Sequence, residues 1–410
     1  MDMKEMFRIT SLIKAGGIAE ATEIIQRSLK NDRYEDADNQ SEDRNNQNII
    51  EGTCRVIDEV NESSFAYEEN QEPLPFSINH FQNKFKDLQE SIEQLTRSNK
   101  QNNASHVKRD KKFIEGSFSN HIGTRTYKLY IPENTQAESL PLIVMLHGCT
   151  QDPDDFAAGT RMNTLAEEYQ CFVLYPCQSQ AASQLKCWNW FNESDQKRDH
   201  GEPSIIAGMT QSIIRDYAID PQKVYIAGLS AGGAMAAIMG ITYPDIYAAV
   251  GVHSGLPYGI ADDLPSALAA MKGKSSKHTP HKMVKKKKIT NRMPPMIIFH
   301  GDKDTKVHSA NADQLVEQHI SSHTYHEHTI PTERKLRLGI HHGKISKGHD
   351  FQKNVYRDDK GKSILEHWLI KNAGHAWSGG DATGSHTDPK GPDASKEMIR
   401  FFYQHQLIGS

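Results

Sequence analysis

Cysteine is scarce in this chain, and the little there is forms no pattern. Five cysteines, Cys54, Cys149, Cys171, Cys177 and Cys187, occur in 410 residues. An odd, sparse set does not read as a disulfide framework, and without a C-x-x-C pair a zinc ribbon is not expected. Long apolar runs are missing too. Nowhere do about 18 apolar residues follow one another, so no transmembrane helix is expected. The opening Met1-Asp2-Met3-Lys4-Glu5 leads into a mixed segment. It lacks the basic start and uninterrupted apolar stretch of a secretory signal, which points to a cytoplasmic protein. Hydrophobic residues make up only 37% of the chain and the mean hydropathy is −0.66, polar for a globular protein. Lysine is absent from Asn31 to Leu74, where 13 Asp/Glu face three Arg for a local charge of −10; the whole chain is at −4, so the remainder carries +6. Such segregation reads as a polar tail beside a compact domain, not as a nucleic-acid binder.

What is present divides the chain into three. Residues 1–30 carry Met6, Ile9, Leu12, Ile13, Ala19, Ile24, Ile25 and Leu29 at helical spacing, with Gly16-Gly17 between two short helices. This segment either packs on the main domain or offers its apolar face to a membrane, a polymer granule or a partner. Residues 31–111, rich in Asn, Gln, Asp, Glu and Ser, read as a polar, largely disordered linker with one helical stretch from Phe81 to Leu95. Residues 112–410 read as the folded domain. Phe113–Phe118 and Tyr127–Ile131 form a strand pair. Pro141–Gly148, Cys171–Tyr175, Val224–Ala227, Ala248–Val252, Met296–Gly301 and Ile364–Ile370 are further strands, with helices over Arg161–Tyr169 and Ile205–Tyr217. Strands alternating with helices call for an α/β fold, a mostly parallel sheet with helices on both faces. Chemistry in such sheets collects at the carboxyl ends of the strands, which places the loops after Leu146, Ala227, Val252 and Phe299 around one crevice.

Gly228-Leu229-Ser230-Ala231-Gly232-Gly233 stands between an apolar strand and a run of small residues that opens a helix. Strand, sharp turn with serine at its tip, then helix is the setting of a nucleophile elbow. A serine hydroxyl is a weak nucleophile near neutral pH and needs a base, and the base needs an orienting carboxylate. After Ser230 the strand-end carboxylates are Asp302 and Asp304 in His300-Gly301-Asp302-Lys303-Asp304; Asp304 lies deeper in the loop and is preferred. His375, among small residues in Gly374-His375-Ala376, follows a late strand and suits the base. Two N–H groups, each worth on the order of 3 kcal/mol, should bind the oxyanion. Ala231 supplies one, and Cys149 in the loop after Leu146 is the candidate for the other. Competing readings of Cys149 are a disulfide with Cys187 and a plain buried thiol. No cofactor or metal is required by this set.

Six separated motifs resemble the poly(3-hydroxybutyrate) depolymerase family of esterases, within the α/β-hydrolase fold. They are Leu146–Gln151, Cys187-Trp188-Asn189-Trp190-Phe191, Gly201-Glu202-Pro203, Gly228–Met235, His300-Gly301-x-x-Asp304 and Gly374–Gly380, spread between about Lys112 and Gln406. The resemblance implies a triad of Ser230, Asp304 and His375. It also implies ester substrates such as short-chain polyhydroxyalkanoates or their oligomers. The N-terminal helical stretch looks similar to that of unsecreted members, although other members are secreted. An esterase for acetylated or feruloylated polysaccharide uses the same machinery, and a non-catalytic granule- or surface-associated protein on a hydrolase fold is the alternative from another class.

Other features sit less firmly in this picture. Trp188, Asn189 and Trp190 either line an acyl or polymer groove or anchor the long loop from Pro176 to Ser204. Arg198-Asp199-His200-Gly201 stands where the family pattern is richer in glycine. Lys272 to Arg292 holds eight Lys and one Arg, a basic insert that reads as solvated and mobile. Without aromatic interleaving it does not read as a nucleic-acid site. Seven histidines fall between His319 and His349; His319, His323, His326 and His328 have helical metal spacing but no cysteine to complete a site.

Overall fold

The apolar runs of the folded domain become the middle of an eleven-stranded sheet. The computed structural model describes residues 112–133, 139–273, 293–324 and 336–407, together with the backbone of Cys54–Ile57. The strands in chain order are β1 (Cys54–Ile57), β2 (Phe113–Asn120), β3 (Gly123–Tyr130), β4 (Leu140–Leu146), β5 (Phe172–Pro176), β6 (Ile219–Leu229), β7 (Ala249–His253), β8 (Met296–Gly301), β9 (Arg337–Lys344), β10 (Asp350–Arg357) and β11 (Ser363–Ile370). A separate pair, β12 (Trp377–Ser378) and β13 (Thr387–Asp388), lies outside that sheet. Across the sheet the order is β1-β9-β10-β11-β8-β7-β6-β4-β5-β3-β2. The six central strands, β11-β8-β7-β6-β4-β5, pair in parallel, and antiparallel strands finish both edges.

The helices are α1 (Pro153–Thr160), α2 (Met162–Tyr169), α3 (Gly201–Asp216), α4 (Ala231–Thr242), α5 (Leu264–Met271), α6 (Ala310–Thr324) and α7 (Ala394–Phe402). Side-chain alternation along the strands divides the core in two. Leu142, Val144 and Leu146 of β4 join Ile205, Ile206 and Met209 of α3 and Met235 of α4 in one layer. Ile143 and Met145 join Phe156 of α1, Met162 of α2 and Phe401 and Phe402 of α7 in the other. Helices therefore cover both faces, the architecture that the strand–helix alternation predicts.

Several boundaries differ from the sequence reading. The helix expected from Arg161 is two helices, because Arg161 adopts a left-handed conformation (φ 54°) between them. Pro153-Asp154-Asp155, loop-like as letters, are the first turn of α1: Asp152 caps it by accepting from the Asp155 N–H at 3.1 Å, and proline is tolerated at the first helical position. The expected linker contributes Cys54–Ile57, which pairs antiparallel with β9. The segment 1–30, expected to be helical, the stretch Phe81–Leu95 and most of the basic insert, residues 274–292, lie outside the described residues, as do His326 and His328.

The direction of the chain changes at the middle of the sheet. From β4 it moves outward to β5, then returns to place β6 on the other side of β4. Such a reversal opens a crevice at the carboxyl ends of the two strands, where ligands of open α/β sheets bind. Distant support for this sheet comes from α7, whose fully buried Phe402 stacks on Tyr225 of β6 with ring centroids 5.0 Å apart. Phe402→Ala is expected to lower unfolding free energy by about 3–5 kcal/mol, measured as a shift of the urea midpoint.

Candidate active site

Ser230 stands at the mouth of that crevice, between β6 and α4. Its backbone is at φ 57°, ψ −119°, a conformation costly for a residue with a side chain. The turn is possible because the residues two positions to either side are glycines. A Cβ on Gly232 would lie 2.1 Å from the Leu146 carbonyl oxygen, and one on Gly228 would lie 2.3 Å from that of Gly232. The Ser230 N–H donates to the His253 carbonyl at 2.9 Å, which ties the elbow to the end of β7.

The candidate acid and base come together from later strand ends. His375 Nδ1 lies 2.6 Å from Asp304 Oδ2, so the ring donates its Nδ1–H to the carboxylate and keeps Nε2 for a substrate or hydroxyl proton. The other carboxylate oxygen, Oδ1, accepts the N–H groups of Lys306 and Val307, each at 2.9 Å. His300, buried at the end of β8, donates its Nε2–H to the Val307 carbonyl at 2.8 Å and sits 3.4 Å from Asp304 Oδ2. Burial alone would raise the Asp304 pKa, but the hydrogen bonds and charge of His300 and His375 outweigh it and hold the carboxyl well below its usual range. Asp302 does different work: its Oδ1 accepts the Asn372 N–H at 2.6 Å, bracing the turn before the His375 loop.

The loop after β4 is held from several sides. Gln151 Oε1 accepts the Gly148 N–H at 3.0 Å, and the Thr150 N–H donates to the Leu185 carbonyl at 2.6 Å. Among the described residues these bonds leave the Cys149 N–H, between them, as the loop's candidate oxyanion donor. Gln151 Nε2 donates to Asp155 Oδ2 at 2.8 Å, and Asp155 in turn accepts the Ser385 N–H at 2.7 Å and its hydroxyl at 2.6 Å. The loop after β4 is thereby tied to the segment that follows His375. His147, fully buried, donates Nδ1–H to the Gly148 carbonyl and accepts the Gln178 N–H at Nε2. Burial pushes its pKa down to about 4.

One expectation changes here. Cys149 is bonded to Cys187, so the sparse cysteines do include a disulfide, and it links the loop after β4 to the tryptophan-bearing loop. Of the two readings of Trp188 and Asn189, loop anchoring has contacts behind it: Trp188 is fully buried and donates its indole N–H to the His147 carbonyl at 3.1 Å. Asn189 gives both its backbone N–H (2.7 Å) and its side-chain amide (2.9 Å) to Glu202. Trp190 is buried as well. These bonds tie Trp188 and Asn189 to the body of the domain.

Glu202 was quoted in the sequence only as part of a motif, and it is the hub of that anchoring. It also accepts from Gln178 Nε2 and faces Arg125 at 3.5 Å. Burial raises its pKa, with the Asp195 carboxylate adding to the effect against the hydrogen bonds it receives. Gln151, Asp155, Glu202, His253 and His300 were not singled out in the sequence, because their importance is a matter of who meets whom. The positions of His253 and His300 at strand carboxyl ends were the available signal. Arg198, in the departure from the family's glycine-rich pattern, forms a two-pronged ion pair with Asp245 at 2.5 and 2.9 Å. His319 and His323 are buried on α6 and bonded to the Pro294 and His319 carbonyls. Among the described residues no group of three or more His, Cys, Asp or Glu is arranged to hold a metal ion, and no helix is long and apolar enough to cross a membrane.

Two outcomes follow from this geometry. Replacing both Cys149 and Cys187 by Ala releases a loop closed by a bond of sequence separation 38 and is expected to cost about 3–4 kcal/mol, read from the urea midpoint. The pH dependence has a definite sign. Burial lowers the pKa of His147 to about 4, of His253 to about 3 and of His367 to about 4, all from 6.5. The unfolded chain therefore binds more protons below pH 6.5. Stability should be full above that pH and fall toward pH 4, with each group contributing at most about 1.4 kcal/mol per pH unit. Urea midpoints measured from pH 7.5 to 4.5 check this; a flat profile would contradict it.

The profile of the family described as esterase PHB depolymerase matches residues 125–334, just over half of the chain. Poly(3-hydroxyalkanoate) depolymerase C of Paucimonas lemoignei is 30% identical over 274 residues, covering 66% of this chain and 62% of that protein. A probable acetylxylan esterase A of Aspergillus fumigatus is 29% identical over 213 residues, covering 49% of this chain and 55% of its own length. The chain thus spans less than two thirds of these curated relatives. Among solved structures, an acetyl xylan esterase from Aspergillus awamori superimposes with a TM-score of 0.54 at 19% identity, over 71% of this chain and 99% of that one, which shows the shared fold. With its switch-point crevice, serine elbow and helices on both faces of a mostly parallel sheet, the chain has the α/β-hydrolase fold and belongs to the esterase PHB depolymerase family.

Proposed function

We propose that the protein is a serine carboxylesterase that works through an acyl-enzyme at Ser230, on short-chain polyhydroxyalkanoates such as poly-3-hydroxybutyrate or their oligomers. The observation that carries this reading is the 2.6 Å bond between His375 Nδ1 and Asp304 Oδ2, in a chain whose serine elbow lies at the sheet's switch point. His375 Nε2 takes the Ser230 proton as Oγ attacks the ester carbonyl. Asp304, kept ionised, holds the ring's orientation and stabilises the imidazolium that forms. The N–H groups of Ala231 and Cys149 receive the tetrahedral oxyanion. His375 returns the proton to the departing alcohol, then activates the water that releases the acid.

The polyester reading draws on the family and on the Paucimonas lemoignei relative. The Aspergillus fumigatus relative favours a second substrate class, acetylated polysaccharide, served by the same machinery. The Cys149–Cys187 bond favours an oxidising compartment, hence a location outside the cytoplasm, over the cytoplasmic residence suggested by sequence. Contact with a polymer granule would fall to residues 1–30, outside the described residues.

Ser230→Ala is expected to lower turnover of p-nitrophenyl butyrate by about a thousandfold or more, with the fold retained by circular dichroism. Asp304→Asn should be similarly damaging, and Asp302→Asn milder by at least about tenfold. The reverse order would assign the acid to Asp302. A fluorophosphonate probe that leaves Ser230 of the folded protein unlabelled would favour a non-catalytic binding role. Substrate class is read by comparing release of 3-hydroxybutyrate from polymer and oligomers with release of acetate or ferulate from modified xylan; the greater rate names the class.

A further inference from the structure

His253 touches both halves of the reaction machinery without belonging to the triad. It ends β7, next to the elbow strand, and is fully buried. Its carbonyl accepts the Ser230 N–H at 2.9 Å. Its ring Nε2 accepts the Ser378 N–H at 2.9 Å, three residues beyond His375. Nδ1 lies 3.2 Å from Ser254 Oγ. Since Nε2 accepts, the ring is the neutral Nδ1–H tautomer, with Ser254 Oγ as the acceptor for that proton. A proton on Nε2 would face the Ser378 N–H donor to donor, and burial, with the neighbouring His300 and His375, already disfavours that charge.

The ring's position is also fixed by stacking. It lies between Phe299 of β8 (5.8 Å, 10°) and Trp377 of the His375 loop (5.1 Å, 25°). The loop's other side is held by the β12–β13 pair, and the Trp377 indole N–H donates to Ser395 Oγ at 3.0 Å. On the side facing the sheet, the side-chain hydrogen bond to the loop's backbone at Ser378 comes from residue 253, the same residue whose carbonyl holds the nucleophile's N–H.

We propose that His253 is a positioning residue, a neutral hydrogen-bond acceptor that sets the His375 loop in register with Ser230. Its main chain fixes the nucleophile and its ring fixes the base, so the relative placement of the two depends on one rigid side chain. This rests on the serine-esterase reading above. A displacement of about 1 Å between reacting groups costs up to about a hundredfold in rate, which is the scale on which such a brace matters.

The test uses the full chain and p-nitrophenyl butyrate, with Ser230→Ala as the reference. His253→Phe keeps the volume and the stack but removes the acceptor. His253→Gln can again present an acceptor toward Ser378, whereas His253→Asn is too short to do so. The expected result is a kcat at least tenfold lower for Phe and Asn, a KM within twofold of wild type, and recovery of most of kcat in Gln. Fluorophosphonate labelling should slow in parallel with kcat. Wild-type kcat in a folded His253→Phe protein, or Gln no better than Asn, overturns the proposal. Should the Phe variant not fold, the Gln–Asn comparison alone decides. If Ser230→Ala itself turns over substrate, the esterase reading and this proposal fall together; if Ser230→Ala is inactive and the His253 variants are as fast as wild type, only the role of His253 falls.

Discussion

Everything at the site depends on how closely two backbones meet at the centre of the sheet. The first turn of α4 lies against the end of β4, close enough that a single methyl group on Gly232 would overlap the Leu146 carbonyl. That approach puts the N–H of Ala231 and the loop beginning at His147 on one side of the same opening. It also forces Ser230 into a conformation that an isolated peptide would avoid. The strain, of order 1–3 kcal/mol, persists because parallel neighbours on both sides of β6 over-determine the turn.

Around this contact, buried polar groups do the positioning. Asp304 receives two backbone N–H groups at one oxygen and His375 at the other, so its charge is compensated where solvent is excluded. Gln151 and Asp155 join the oxyanion loop to Ser385, and Glu202 joins the loop of Trp188 and Asn189 to α3 and to Arg125. Unsatisfied, each would cost more than it contributes; satisfied, each rules out alternative loop placements. The disulfide acts in the same direction by limiting the freedom of the unfolded chain between residues 149 and 187.

Local patterns made much of this legible. Central strands are continuous apolar runs because both of their faces are covered, and a run such as Pro141–Gly148 is hard to mistake. The antiparallel strands β9 and β10 escaped because their residues are mixed: in Arg337-Leu338-Gly339-Ile340-His341-His342 only Leu338 and Ile340 alternate before the pattern stops. Helix α1 escaped because its first turn is written in loop letters. The strained serine and the carboxylate and histidine that follow it were legible as candidates from glycine sterics and chain order. Trp188 and Asn189 stay open to two readings in the sequence because an aromatic–amide cluster looks the same whether its polar groups face a ligand or partners such as His147 and Glu202.

By itself, the sequence determined the sheet's inner strands, the site of the strained serine and the order in which carboxylate and imidazole follow it, since these rest on interactions within a few residues. Tertiary structure alone decided that Cys149 and Cys187 meet and that His253 stands between the elbow and the His375 loop, and it supplied the contact by which Asp304, already preferred in the sequence, reaches His375 while Asp302 holds Asn372. Each of these is a pairing of groups from distant parts of the chain. Such pairings are set by which strand ends lie side by side after the sheet has closed, and no local spacing records that arrangement.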